Sequence, residues 1–362
     1  MSQRSVCAVS MEGFKCFDNL RLELGQLTLV TGFNGGGKST ALQPLLLFSQ
    51  ALRLCNLDAL PLNGPLVRLG TAGDISPKQS EKQMLLQVED DDGKFVVLPR
   101  LKAGDRILPL SRAPENNLSG KLKRVLKNLS YLGAVRIGPE DAFPLPESVD
   151  VCDVGHDGRF APYWFDRLAD DDIDPQRCFP GSEATTFRKQ LDSWLASLFP
   201  NAAANVQSVS ATSQMNLQFR LSELGSWQRP SNIGYGLTYA FPILVALLAA
   251  GPEQVIVIDS PEAHLHPSAQ SQMGRILAAF ANSGVQIIVE THSDHLLNGL
   301  RLALRDGNLR PDDLRIHFFN GATGIKHGVT TPAIGAGGEI YEWPEGFFDQ
   351  SEKDLSRLAG WN

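Results

Sequence analysis

Residues 27–30 (LTLV) form a short apolar run that leads into Gly32-Phe33-Asn34-Gly35-Gly36-Gly37-Lys38-Ser39-Thr40, and a helical stretch, residues 41–54, follows. The string fits G-x-x-x-x-G-K-[ST] in the strand, loop and helix context that gives it meaning. Glycines without side chains let successive N–H groups turn inward around phosphates, and the helix adds its positive N-terminal end. Lys38 is placed to reach the β and γ phosphates of ATP, and Ser39 to put its hydroxyl on Mg²⁺. A plain Gly-rich turn before a helix would not need the whole string.

A second apolar run, residues 255–258 (VIVI), ends in Asp259. A carboxylate at the end of such a strand holds Mg²⁺ opposite a phosphate loop. Ser260-Pro261-Glu262-Ala263-His264-Leu265-His266 then supplies a further carboxylate and two histidines in one loop. The next apolar run, residues 285–289, is followed by Glu290-Thr291-His292-Ser293-Asp294, where His292 suits the sensing of a γ phosphate. A rival reading draws His264, His266, His292 and His295 together as a transition-metal cluster of a hydrolase, which needs a closed geometry that spacing cannot supply. A plainer role for His264 and His266 is loop hydrogen bonding.

Upstream lies Ser231-Asn232-Ile233-Gly234-Tyr235-Gly236, before an apolar helix expected over residues 237–250. Glycines at a helix start admit a phosphate to backbone N–H groups. One chain cannot readily use this loop and the first phosphate loop together. Facing a partner's nucleotide, it would make a two-fold sandwich with ATP between subunits. Alone, such a glycine pair is equally a tight turn.

The elements that must position these residues follow a βαβ order. The runs at 255–258 and 285–289 suit strands buried on both faces of a parallel sheet. Between them Met273, Ile276, Leu277 and Phe280 repeat at helical spacing, with Pro267 in the first turn and Gly284 past the end. Residues 89–94 (EDDDGK) read as a hairpin turn between strands at 83–88 and 95–98, and residues 139–181, rich in Pro, Gly and Asp, as an irregular excursion. Lys121, Lys123, Arg124 and Lys127 would share a helical face that could meet DNA phosphates, although a solvated face is the commoner fate.

The 362 residues are 43% hydrophobic, enough for a large core, so disorder as the dominant state is excluded. With 33 basic against 40 acidic residues the net charge is −7, which argues against nucleic-acid binding by bulk charge. Five scattered cysteines (Cys7, Cys16, Cys55, Cys152, Cys178) lack any C-x-x-C pair, which disfavours a disulfide framework and a thiolate zinc site. Glu12 and Lys15 interrupt any signal-peptide core, and the most apolar stretch, residues 237–250, is too short to span a membrane. A cytoplasmic location without membrane attachment is expected.

The ordered set GFNGGGKST, SNIGYGLTYAFPIL, VIVIDSPEAHLHP and QIIVETHSDHLLNGLRLA resembles the ABC-type ATPases of the group containing RecF, SMC heads and the overcoming-lysogenization-defect ATPases. YLGAVRIGPE, around Arg136, resembles a segment they carry before the second lobe, and YEWPEGFFDQSEKDL a domain of unknown function in a stand-alone bacterial branch. The resemblance implies an α/β P-loop head with a mostly parallel core sheet, an antiparallel β subdomain and a helical lobe. It divides into a Walker A lobe (1–138), an irregular and helical insertion (139–230), a signature, Walker B and switch lobe (231–325) and a C-terminal segment (326–362). It makes Gly32 to Thr40 the Walker A loop, Asp259 the Walker B acid, His292 the switch histidine, Asn232, Gly234 and Gly236 the signature loop, and residues 263–266 the D-loop. Ser260 stands where many such ATPases carry a glutamate, so Glu262 is expected to orient water and turnover to be slow. Coiled-coil arms and an appended nuclease are missing, which implies a nucleotide-controlled homodimer acting on a separate nuclease or toxin, as in bacterial anti-phage defence, or on DNA. A small-molecule phosphotransferase and the ATPase subunit of a transporter are the competing readings.

Overall fold

The computed structural model describes residues 4–54, 57–76, 83–112, 118–209, 211–251, 253–323 and 326–360; Cys55 lies outside them. Strands β1 (Ala8–Phe14), β2 (Phe17–Glu23) and β3 (Leu27–Gly32) precede helix α1 (Lys38–Leu54). Then come β4 (Ala59–Pro61), α2 (Ala72–Ile75), β5 (Leu85–Asp90), β6 (Gly93–Pro99), β7 (Ile107–Arg112), α3 (Gly120–Lys127) and β8 (Ser130–Leu132). A mixed segment follows with β9 (Ala142–Pro144), α4 (Ala161–Leu168), α5 (Phe187–Leu198), β10 (Ala203–Val209) and β11 (Gln214–Arg220). The chain then runs through α6 (Tyr235–Leu248), β12 (Val255–Asp259), α7 (Pro267–Asn282), β13 (Gln286–Glu290), α8 (Asp294–Arg305), β14 (Leu314–Thr323), β15 (Lys326–Thr330) and α9 (Gln350–Leu358).

The central sheet has the order β15-β14-β3-β13-β12-β8. Its pairings are parallel except for β15 on β14. Helices cover both faces of such a sheet, so its strands are apolar on both sides. Leu29, Ile256, Ile258, Ile287 and Val289 enter one core with α4 to α8. Their neighbours Val30, Val255, Val257 and Ile288 enter the other, with α1, α3 and the antiparallel sheet β2-β1-β5-β6-β7-β4. The strand period of two then fixes the chemistry: Asp259 and Glu290, two residues beyond Val257 and Ile288, emerge on the α1 face.

The βαβ unit forms as read: β12 and β13 pair in parallel, α7 carries Pro267 at its start, and Gly284 takes φ +97° beyond its end. The hairpin is tighter than expected, because Asp90 Oδ1 accepts the N–H groups of Asp92 (3.0 Å) and Gly93 (2.9 Å) and closes a two-residue loop. The excursion reading of residues 139–181 needs correction. Ala161, Pro162, Trp164 and Phe165 of α4 are buried in the main core, with the Trp164 indole N–H on Asp153 O at 3.0 Å. The basic face on α3 is also smaller: Lys123, Arg124 and Lys127 are exposed, whereas Lys121 Nζ is buried and Arg124 pairs with Glu253. Among the described residues no helix is long and apolar enough to cross a membrane.

Candidate functional site

The phosphate loop leaves β3 at Gly32, whose φ of +132° and closeness to Phe319 O (2.2 Å from any Cβ) admit only glycine. Gly37, at φ +98°, has the Phe17 ring where a Cβ would stand. The loop therefore lies tight against β2 and β14, and α1 begins directly at Lys38 with its N-terminus at the loop. Lys38 Nζ donates to Gly32 O (3.1 Å) and Phe33 O (2.9 Å). Burial holds this ammonium below its ordinary pKa, while Glu290 and Asp259 counteract the shift. A cavity of about 460 Å³ is lined by Lys15, Cys16, Asn34, Gly35, Gly37, Lys38, Ser39, Thr40, Glu290 and His292.

Beneath it, Ser39 Oγ donates to Glu290 Oε1 at 3.0 Å, and Glu290 lies in register with Asp259 on the neighbouring strand. Burial, then the Asp259 charge, pushes the Glu290 carboxyl up to about 7. Ser39, Asp259 and Glu290 also line a smaller cavity of about 210 Å³ between α1 and the sheet. A hydroxyl and carboxylates are hard oxygen donors, so the set fits Mg²⁺, with Ser39 and Asp259 as the holders.

The loop after Asp259 is strained, with Ser260 at φ +51° and His264 at +62°. Ser260 Oγ donates to Asp259 Oδ1 at 2.9 Å. Arg136, 3% exposed, clamps the loop's backbone by donating to Asp259 O (2.6 Å) and Ser260 O (3.2 Å). Burial pulls its pKa down to about 10. Glu262 Oε1 accepts the His292 N–H at 3.0 Å, and Oε2 is buried without a hydrogen-bond partner among the described residues. Burial, then the nearby Lys38 ammonium, keeps the His292 imidazole below its ordinary pKa.

The remaining histidines do not converge. His266 Nδ1 caps α7 through Ser268, and His264 packs between Tyr235 and Tyr239. Among the described residues no three of His, Cys, Asp and Glu are gathered as the transition-metal reading requires. Gly234 caps α6 and is exposed; Gly236 lies buried in the first turn, where a Cβ would come 2.8 Å from His264 O. Asn232 is exposed, and neither it nor these glycines line the cavity over Lys38. Thus one chain gathers the glycine loop with Lys38, Asp259, Glu262 and His292 and leaves the Gly234–Gly236 pair apart. Glu290 and Arg136 were missed as site residues; a charged residue closing the buried strand QIIVE, as Asp259 closes VIVID, was the available signal for the first.

Fold and site together are similar to those of ABC/SMC-like ATPase heads. Residues 154–298 match the family model described as AAA domain, putative AbiEii toxin, Type IV TA system, and residues 309–358 match that of a protein of unknown function (DUF3696). These matches bear out the resemblance to RecF/SMC-like AAA ATPases with a C-terminal domain of unknown function. No curated protein matches the chain. Among solved structures, the Smc head domain with a coiled coil and joint from Pyrococcus yayanosii has TM-score 0.53 at 11% identity, covering 98% of this chain and 99% of that one. The Pyrococcus furiosus Smc head domain with an extended coiled coil, bound to the C-terminal domain of ScpA, has TM-score 0.52 at 11% identity with the same coverage. At such identities the likeness concerns the fold.

Proposed function

We propose that the protein binds ATP with Mg²⁺ and hydrolyses it slowly, two copies closing around two nucleotides to form a switch for a separate effector. The observation that carries this reading is the convergence of Lys38, Ser39, Asp259 and His292 around one glycine-lined loop at a helix N-terminus. On binding, Lys38 exchanges the Gly32 and Phe33 carbonyls for phosphate oxygens, and the α1 amides face the phosphates. Bound Mg²⁺ would neutralise charge developing on the phosphates. Glu262, fixed through Oε1 on the His292 amide, directs Oε2 to accept a proton from the attacking water, and His292 senses the γ phosphate.

The glycine pair at α6 supports the dimer, since it does not line its own chain's cavity over Lys38 and Gly234 is exposed, free to face a nucleotide held by a second copy. A phosphotransferase would have no use for it. The effector reading, a nuclease or toxin partner in anti-phage defence with DNA as the other candidate, rests on the family resemblance and on the apolar Leu355 and Leu358 that α9 exposes. Lys38→Ala tests the core of the proposal: binding of labelled ATP should fall at least tenfold. Wild-type affinity in that variant would sink the assignment of the loop.

A further inference from the structure

A hydroxyl that ligates a cation turns its lone pairs to the metal and hands its proton to an acceptor behind it. For Ser39 that acceptor is Glu290, whose Oε1 takes the Oγ–H at 3.0 Å. Asp259, the other candidate, is engaged by Ser260 Oγ at 2.9 Å. Glu290 closes β13 on the α1 face, in register with Asp259, and is only 8% exposed. Carboxylates are seldom so buried without a compensating charge, and two on adjacent strand ends repel each other. A bound cation resolves both costs at once.

We propose that Glu290 is a second carboxylate of the cation site: a positioning residue that accepts the hydrogen bond of the Ser39 hydroxyl and, with Asp259, sets the affinity of the nucleotide site for its divalent cation. The division is physical. Asp259 would hold the cation, and Glu290 would keep Ser39 in the orientation that ligates it. The inference rests on the Mg²⁺–ATP reading above.

Manganese, a paramagnetic substitute for Mg²⁺, supplies a readout independent of turnover. The full chain is titrated with Mn²⁺ in the presence of a non-hydrolysable ATP analogue, with free Mn²⁺ followed by electron paramagnetic resonance; analogue affinity is measured separately in chelator. Glu290→Met, which removes the acceptor of the Ser39 hydroxyl, should bind the analogue in chelator within about twofold of wild type but lose Mn²⁺ affinity about 10–100-fold, as outer-shell partners do. Ser39→Ala should lose a similar factor, and the double variant little more, because the two residues act as a unit. Met is close to Glu in volume and removes one of two buried like charges, so the variant should fold, which a thermal melt verifies; Glu290→Asp, which keeps a carboxylate on a shorter arm, provides a second probe, with intermediate loss expected. Unchanged Mn²⁺ affinity in both Glu290 variants, or fully additive losses in the double variant, would overturn the proposal. Wild type without analogue-dependent Mn²⁺ binding would instead overturn the Mg²⁺–ATP reading, and Glu290's role with it.

Discussion

The two oxygens of Glu262 have different surroundings, and the difference separates positioning from base chemistry. Oε1 holds the His292 amide, whereas Oε2 has no hydrogen-bond partner among the described residues. Glu262→Gln keeps an oxygen for the amide and removes only the base, so ATP binding should be normal. Turnover should fall by about 10²–10⁴, the usual contribution of a positioned general base. The closed dimer should then accumulate. Ser260 serves Asp259 through its hydroxyl, so Ser260→Ala should change turnover by only a few fold. Phosphate release measured on both variants decides the matter: a crippled Ser260→Ala beside an active Glu262→Gln would show that water is held from elsewhere. Glu262 stands two residues beyond Ser260, where the ATPases that the chain resembles often carry a glutamate, so the proposed hydrolysis is expected to be slow.

At the scale of elements, the phosphate loop and the βαβ unit were legible because their signals are local: a glycine string between an apolar strand and a helix, and runs of strand length ending in acid. Glu290 was harder to see, because its significance lies in the register of β13 on β12 and in the face shared with α1, neither of which a single segment contains. The 139–181 stretch was misjudged for the opposite reason: its Pro, Gly and Asp content hid the spacing of Ala161, Trp164 and Phe165, a short helix set into the main core. The glycine pair illustrates how structure refines a test. Gly236 has no room for a side chain, so substituting it would disturb the loop after Asp259 directly, at His264 O. Gly234 is the better site, because a Cβ there meets nothing within 4 Å, its φ of −62° is ordinary, and Asp is a good N-cap. Gly234→Asp should therefore leave the monomer's stability and ATP binding intact while placing a carboxylate against the partner's phosphates. With a non-hydrolysable analogue, light scattering should show a markedly smaller dimer fraction than wild type; an equal fraction would exclude the sandwich.

At the scale of the whole molecule, the two cores share the central sheet, and the C-terminal segment reaches back to the phosphate loop. The Phe33 ring occupies the place a side chain at Gly346 would take, and it packs on Phe318 of β14. Strand β14 is thus a hub, tied to the antiparallel sheet by the Phe319 ring against Phe17 of β2 and by a buried imidazole. His317 Nε2 donates to Glu23 O at 2.7 Å, which puts a proton on Nε2, and in the neutral ring that burial favours Nδ1 accepts from Thr331 Oγ1 at 2.8 Å. Burial holds its pKa below the ordinary value of 6.5. Below that value the unfolded chain binds the proton more readily than the folded one, so this residue's contribution is complete at higher pH and is lost as pH falls from about 6.5 towards the depressed folded value. The loss can reach roughly 1.4 kcal/mol per pH unit within that window. His317→Asn removes the titration while retaining polar atoms at the site. It should be less stable than wild type at pH 7.5, and the gap should narrow by pH 5.5 as wild type alone bears the cost of the uncharged ring. Urea unfolding of both proteins at the two pH values, without nucleotide, measures the gap. A gap of equal size at both would show that the tie between the sheets does not depend on this proton.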